Sequence, residues 1–469
     1  MKRILLRSGK SPLDVKTPAA SLRLDLMGTN VGNLLFSDSV HKMLDTPGTE
    51  VTSNGIRTTR FTDKWVARTN AEYDVFVVPL ANAFRPAFHA GLDRLSAAIE
   101  QLTIPVVVVG VGAQVGADYD TQVLAPMAES VKRFARTVLD HSATIGVRGE
   151  LTADYLADLG FHDTEVIGCP SMFRYGGTLP SMRKPEGLDA TSRIALNLSP
   201  DAVDVGDVPG LVDRVSSHFP ELTYFAQDTT DAELLFWGDT SVESGRQDAF
   251  PRLLSHPLFQ KGKVVVPLDT QTWIGELASH DFAFGTRIHG NIAALLAGTP
   301  AVVLAHDSRT LELARYFDIP HRLLADLPND TGPAELLAEA DYSRLVSGHP
   351  ARFTRVADFL ARNDLENTYQ HGDAGVAFEA RLADLDLPPS LRVWDGSDDG
   401  GLRFRISALR ERLVREQETS HRLALRVRDL RERLADAEVR LTTVEGRIAG
   451  IDRRVMVRLG PAIRRRFRR

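Results

Sequence analysis

Cysteine is almost missing from the chain: Cys169 is the only one among 469 residues. That excludes an internal disulfide and a zinc site built on paired thiolates, and a reducing, cytoplasmic setting is expected. Long apolar runs are missing as well. Nowhere do about 18 apolar residues follow one another, so no membrane-spanning helix is expected. The patch Ile4-Leu5-Leu6 falls short of the ~7–15 apolar residues of a signal-peptide core, so no secretory leader is expected either. HEXXH and clustered-histidine spacings are absent, with His280 and His289 nine residues apart, and neither metal nor organic cofactor is expected. The stretch "VVGVGAQ" (108–114) stops short of G-x-G-x-x-G, which argues against dinucleotide binding. What remains, 43% hydrophobic and 25% charged residues, is the composition of a globular protein long enough for about three domains of ~150 residues.

Charge is unevenly spread. Residues 401–469 hold 20 arginines, no lysine and 9 acidic residues, a net charge of +11, whereas the first 400 residues carry −17. Over residues 20–180, strand-length apolar runs such as Val75–Val78 and Val106–Val109 alternate with helical patterns near 89–102 and 121–140. A short strand Thr144–Val147 and a helix Glu150–Leu159, stopped by Gly160, follow. Parallel strands covered on both faces lose their alternation in this way. After a loose stretch the rhythm resumes, with strands at Ile194–Leu198, Leu222–Ala226, Val264–Pro267, Phe282–Gly285 and Ala301–Ala305. The expected fold is α/β: two tandem Rossmann-like doubly wound domains, at 1–180 and 190–330, facing a cleft at the carboxyl ends of their strands. A helical segment at 331–390 is expected to pack on them.

Beyond it the period changes. From Ile406 to Val455 apolar residues follow strict 3-4 spacing over seven heptads, interrupted only by Glu416 and Ser420. This predicts a coiled coil over 402–458, about 75 Å long at ~1.5 Å per residue, joining copies of the chain into a homo-oligomer. The basic tail, 459–469, either lies on an anionic membrane surface, which would place the protein peripherally at the inner face of the membrane, or is a solvated end. No nucleic-acid partner is expected.

The motif that carries most chemistry is "GTRIHG" (285–290). Gly285 lets a strand turn, and His289-Gly290 fall in the first turn of the following helix, where free N–H groups and the positive dipole end attract anions. Arg287 adds a bidentate donor for carboxylate or phosphate. The helix end should depress the pKa of His289, and a bound dianion should restore the imidazolium. The alternative is a capping arginine beside a packed histidine. Similar pairs of readings hold elsewhere. Gly28, Asn30, Gly32 and Asn33 in "GTNVGN" either meet a ligand or make a plain turn. Gly110, Gly112 and Gln114 end an apolar strand where ligands bind in such folds. His306, Asp307 and Arg309 either line the cleft or are ordinary loop residues, and Arg148 either holds a ligand or pairs with Glu150 on the surface. Cys169 lacks a basic neighbour and reads as a small buried residue, not a nucleophile.

Taken together, "GTNVGN" (28–33), "VVGVGAQ" (108–114), "IGVRGELTADYLADLG" (145–160), "VIGCPSMF" (166–173) and "GTRIHGNIAALLAGTPAVVLAHDSRT" (285–310) resemble the polysaccharide pyruvyl transferase family, over about residues 20–330. The resemblance implies a two-domain fold of the GT-B glycosyltransferase type, phosphoenolpyruvate as co-substrate and pyruvyl donor, and a sugar hydroxyl pair of a polysaccharide or cell-surface glycan as acceptor. The product is a cyclic pyruvate ketal and phosphate leaves. It further implies His289 as general acid, with Arg287 and Arg148 holding the donor; Gly290, Asn30, Gly32, Asn33, Gly112, Gln114, His306 and Arg309 are the other candidate binding residues. Family members often carry Asp where this chain has Asn33, which puts acid–base chemistry at that loop in doubt. A GT-B glycosyltransferase using a nucleotide-sugar, and a non-catalytic coiled-coil scaffold that keeps the α/β domains, are the alternative readings.

Overall fold

The computed structural model describes residues 1–238, 250–394, 397 and 399–466, with side chains of the C-terminal helix described over 401–441. Residues 1–395 form one compact unit and 396–469 a second. Among the described residues, twelve short strands build the first unit: β1 (Lys2–Leu6), β2 (Thr49–Ser53), β3 (Val75–Pro79), β4 (Val106–Val109), β5 (Ile145–Val147), β6 (Thr164–Val166), β7 (Ile194–Asn197), β8 (Thr223–Phe225), β9 (Val264–Val265), β10 (Phe282–Gly285), β11 (Ala301–Ala305) and β12 (His321–Leu323). One sheet has the order β2-β1-β3-β4, the other β12-β11-β10-β7-β8-β9, and β5 pairs with β6. A parallel bridge between Val111 and Val147 continues the first sheet toward that pair. All the registered strand pairs are parallel, as the unbroken apolar runs predict.

The short patch Ile4-Leu5-Leu6 has a larger role than its length suggests. It lies in β1, between β2 and β3, with Ile4 opposite both Val51 and Val75. A strand needs only about five residues, so this short apolar run suffices for the middle of a sheet. In each sheet the chain reverses its direction of travel once: from β2 back across to β3 beyond β1, and from β9 back to β10 beyond β7. Crevices open at such switch points, outside the carboxyl ends of the strands. The expected helix near 121–140 is interrupted at Pro126, which lacks an N–H; a 3₁₀ segment Thr121–Met127 leads into the helix Ala128–Leu139.

One continuous apolar core runs through both sheets, from Ile4, Val77 and Val107 to Ile194, Phe284 and Val303. The helix Gly32–Leu44 lies inside it, buried at every position except Asn33. Its polar residues therefore need internal partners. The ammonium of Lys42, 2% exposed, meets the carboxylate of Glu379 at 2.6 Å, and the Arg174 guanidinium stands 3.7 Å from the same carboxylate. Asp38 accepts from the Thr270 hydroxyl at 2.6 Å, and burial pushes its pKa up to about 6. Glu379, in the helix Val376–Ala383, thus links the 331–390 segment to the core of the α/β unit.

In the second unit a single helix runs Asp399–Arg466. Its heptad leucines from Leu413 onward are solvent-facing, from 49% exposed at Leu413 to 60% at Leu434 and Leu441. Side chains of the basic tail, 459–469, lie outside the described residues. Among the described residues no helix is long and apolar enough to cross a membrane.

Removing one partner of a buried ion pair leaves the other charge uncompensated, at about 3 kcal/mol. Glu379→Ala should lower unfolding free energy by roughly that amount, read as a reduced denaturant midpoint, and Glu379→Gln, which keeps an acceptor for Lys42, should cost less.

Candidate active site

The architecture brings "GTRIHG" to the switch point of the larger sheet. Gly285 closes β10 at φ +146°, and a Cβ there would stand 1.7 Å from the Asn197 carbonyl oxygen, so only glycine lets β10 lie this close to β7. The Asn197 side chain then receives the Arg287 N–H at 2.9 Å, while the Thr286 N–H goes to the Asn197 carbonyl at 2.8 Å. These bonds fix Arg287 as the N-cap residue of the helix Ile288–Leu296 and set His289 in its first turn.

Arg287 and His289 face a cleft of about 310 Å³ between the two sheets. The first sheet contributes Asn82 and Arg85 after β3 and Gln114 after β4, together with Asn30 and Asn33; the second contributes Asp201 after β7, Asp228 after β8, Arg252, and Arg309 after β11. Four arginines and two aspartates thus share one space. Asp228 holds the center of this charge array. Its carboxylate pairs closely with Arg287, lies 3.5 Å from Arg252, and accepts from the Asn30 amide at 2.9 Å. The loops carrying Asn30 and Asp228 are stitched together besides, Val31 N–H to the Gln227 carbonyl at 3.0 Å and Thr229 N–H to the Thr29 carbonyl at 2.9 Å. Arg309 stands 3.4 Å from Asp307, and the Nε atoms of Arg85 and Arg309 are buried without a hydrogen-bond partner. Both amide atoms of Gln227 are likewise unpartnered. These buried polar atoms are left unsatisfied by the protein itself at residues that line the cleft.

His289 is held tightly. Its Nδ1 lies 2.4 Å from where a Cβ on Gly32 would be, so only glycine fits beneath the ring. Its Nε2 stands 3.6 Å from the Cys169 sulfur, and Phe36 meets the ring edge-on. Burial, followed by Arg309, Arg148 and Arg287, brings the imidazole down to a pKa of about 3. The direction agrees with the expectation from the helix terminus, but the causes are burial and neighboring guanidiniums. Around it, Asp307 is held ionized at about 2, because Arg309, His306 and Thr310 together outweigh the burial that opposes its charge. Asp231, beneath Asp228, is pushed up by burial and by the Asp228 charge.

Of the residues singled out in the sequence, His289, Arg287, Asn30, Asn33, Gln114 and Arg309 line the cleft. Gly32, Gly112 and Gly290 lie behind its wall, packed on His289, Arg148 and Asn197 respectively. Arg148 calls for a correction. It is 2% exposed and absent from the wall, and its partner is not Glu150: its Nε donates to Glu312 at 2.9 Å, with further bonds to the carbonyls of Ala81 and Ala113. Its guanidinium acts on the cleft through charge, as one of the groups lowering the pKa of His289. His306 is also buried behind the wall, 4.0 Å from Asp307. Cys169 is buried with its thiol pushed up to about 11, as an inert residue should be, though its contact with His289 was not foreseen. Arg85, Asp201 and Asp228 were missed, although each follows the carboxyl end of a strand and the rule for ligand sites could have found them. Nothing in the sequence flags Arg252. Among the described residues no group of three or more His, Cys, Asp or Glu could hold a metal ion.

Several solved structures align with most of the chain at low identity. UDP-bound MnaA from S. aureus is 12% identical, with 83% of this chain and 99% of that one covered at a TM-score of 0.38. The UDP-GlcNAc 2-epimerase of Methanocaldococcus jannaschii, in complex with UDP-GlcNAc and UDP, is 14% identical over 82% of this chain and 99% of its own, also at 0.38. The Neisseria meningitidis UDP-GlcNAc 2-epimerase bound to UDP-GlcNAc is 10% identical over 82% and 100%, at 0.37. No curated protein matches the chain by sequence. The family model for polysaccharide pyruvyl transferase, in contrast, matches residues 30–308. That span runs from Asn30 through the Arg287–His289 helix to the first residue of the helix after β11, and so takes in most of the cleft wall: the chain is a member of the polysaccharide pyruvyl transferase family.

Proposed function

We propose that the enzyme transfers a pyruvyl group from phosphoenolpyruvate to a hydroxyl pair of a glycan, forming a cyclic ketal, and that the cleft at Arg287 and His289 is where it does so. The observation that carries this reading is the gathering of Arg85, Arg252, Arg287 and Arg309 around one neutral imidazole. A donor carrying a carboxylate and a phosphate matches this set of guanidiniums in charge and takes over Arg287 from Asp228. Its charge also changes His289. A dianion beside the ring offsets the arginines and also the burial that opposes a positive imidazole, so the protonated form is favored and can deliver its proton to the methylene carbon, leaving an oxocarbenium-like carbon for hydroxyl attack. Acid function then exists only with donor in place.

If so, phosphoenolpyruvate should raise the melting temperature, with stabilization of about 2.7 kcal/mol at a hundredfold excess over Kd, and Arg287→Ala should lose most of that gain. A nucleotide-sugar should give no shift; stabilization by it alone would favor the glycosyltransferase reading.

The proton sign follows from the depressed value. An exposed imidazole titrates near ~6.5, so between that and about 3 the unfolded chain holds a proton that folded His289 does not. His289 therefore costs stability as pH falls through this window, and donor binding should remove the cost. Imidazole NMR shifts should report His289 neutral from pH 7 to 4 in the free protein and charged on adding donor. His289→Asn should lower kcat about 10²–10⁴-fold with donor binding retained.

The exposed heptad face of the C-terminal helix fits pairing between copies of the chain. Light scattering should show full-length protein as an oligomer and a chain ending at residue 395 as a monomer that still binds donor.

A further inference from the structure

Ketal formation needs a base as well as an acid. Each acceptor hydroxyl loses its proton as its oxygen bonds to the donor's second carbon, and at the start of the reaction His289 carries a proton to give, not one to take. The loop position where relatives often hold an aspartate offers nothing here: the Asn33 amide donates to the carbonyls of Met27 at 3.1 Å and Gly28 at 2.8 Å, bonds a carboxylate could not make. Among the described residues two carboxylates line the cleft. Asp228 is engaged on both oxygens, by Asn30 on one and by Arg252 and Arg287 on the other. Asp201 differs. It opens the 3₁₀ turn Pro200–Asp204 just past the end of β7, is solvent-exposed, and has no hydrogen bond or ion pair among the described residues. Its charge reaches Arg85, Arg309 and His306, which keeps it on the donor side of the cleft.

We infer that Asp201 is the general base for the acceptor hydroxyls, an assignment that rests on the donor reading above. The steps balance. The first hydroxyl oxygen bonds to the donor's second carbon as its proton passes to Asp201, and the alkene electron pair takes a proton from His289 to become a methyl group. The bond from that carbon to the phosphate oxygen breaks, and phosphate leaves with the proton held on Asp201, as hydrogen phosphate. The second hydroxyl then attacks and its proton passes through Asp201 to solvent, matching the proton His289 regains. The assignment also places the acceptor, which must enter past β7, with the diol between Asp201 and the donor.

The test uses the full-length chain, phosphoenolpyruvate, and methyl glucoside, galactoside and mannoside as acceptor probes, with water as background nucleophile in every assay. Phosphate release reports turnover and calorimetry reports donor affinity. Asp201→Asn should lower kcat at least 10²-fold while donor Kd stays within about threefold. Asp201→Glu should keep part of the activity, and formate should partly restore Asp201→Ala, responses that a purely structural carboxylate would not show. Asp201→Asn turning over within threefold of the unmodified enzyme overturns the assignment and leaves the donor reading standing. An unmodified enzyme that binds no phosphoenolpyruvate overturns the donor reading, and this assignment with it.

Discussion

Where several guanidiniums converge in a half-buried space, some anion has to sit among them, and in this molecule Asp228 does. Its carboxylate neutralizes Arg287, approaches Arg252 and reaches across to Asn30, so one side chain offsets part of the charge of the cleft and ties the two sheets together. Without such an anion the arginines would repel one another and stay unsolvated. The constraint extends outward. Asn197 must orient Arg287, Gly285 must let β10 pass close to β7, and Gly32 must leave room for the imidazole. Each of these fits is made with backbone or rigid side chains, which is how a site keeps its geometry before its ligand arrives.

The depressed histidine belongs to the same balance. Arg309, Arg148 and Arg287 each make a positive imidazole costly, and burial adds to that. Arg148 shows that a residue need not touch the cleft to shape it. Fixed by Glu312 and two backbone carbonyls, it supplies a permanent positive charge behind the wall. The field at His289 thus depends partly on a buried ion pair that lies out of the ligand's reach.

Much of this could be read from the chain alone, and the reasons for the misses are physical. Strands such as β4 and β11 announce themselves because parallel, doubly covered strands are apolar throughout. β2, β6 and β12 were not foreseen: each has polar residues and some exposure, and is fixed by its neighbor more than by its own composition. The Arg287–His289 pair was legible since a helix N-terminus, a glycine and two functional side chains fall within six residues. The partner of Arg148 was misread because Glu312 lies 164 residues away, a distance that local pattern cannot bridge. Asp201 and Asp228 sit in loops that look unremarkable until strand order is known.

The link between Lys42 and Glu379 also bears on how the protein is made. Lys42 is drawn into the interior by a helix that is nearly all core, yet the carboxylate that compensates it comes more than three hundred residues later. A nascent chain that has released only its first sheet would carry a lysine with no carboxylate to compensate it. Compensated burial of Lys42 therefore requires the 331–390 segment, which is made long after the first sheet.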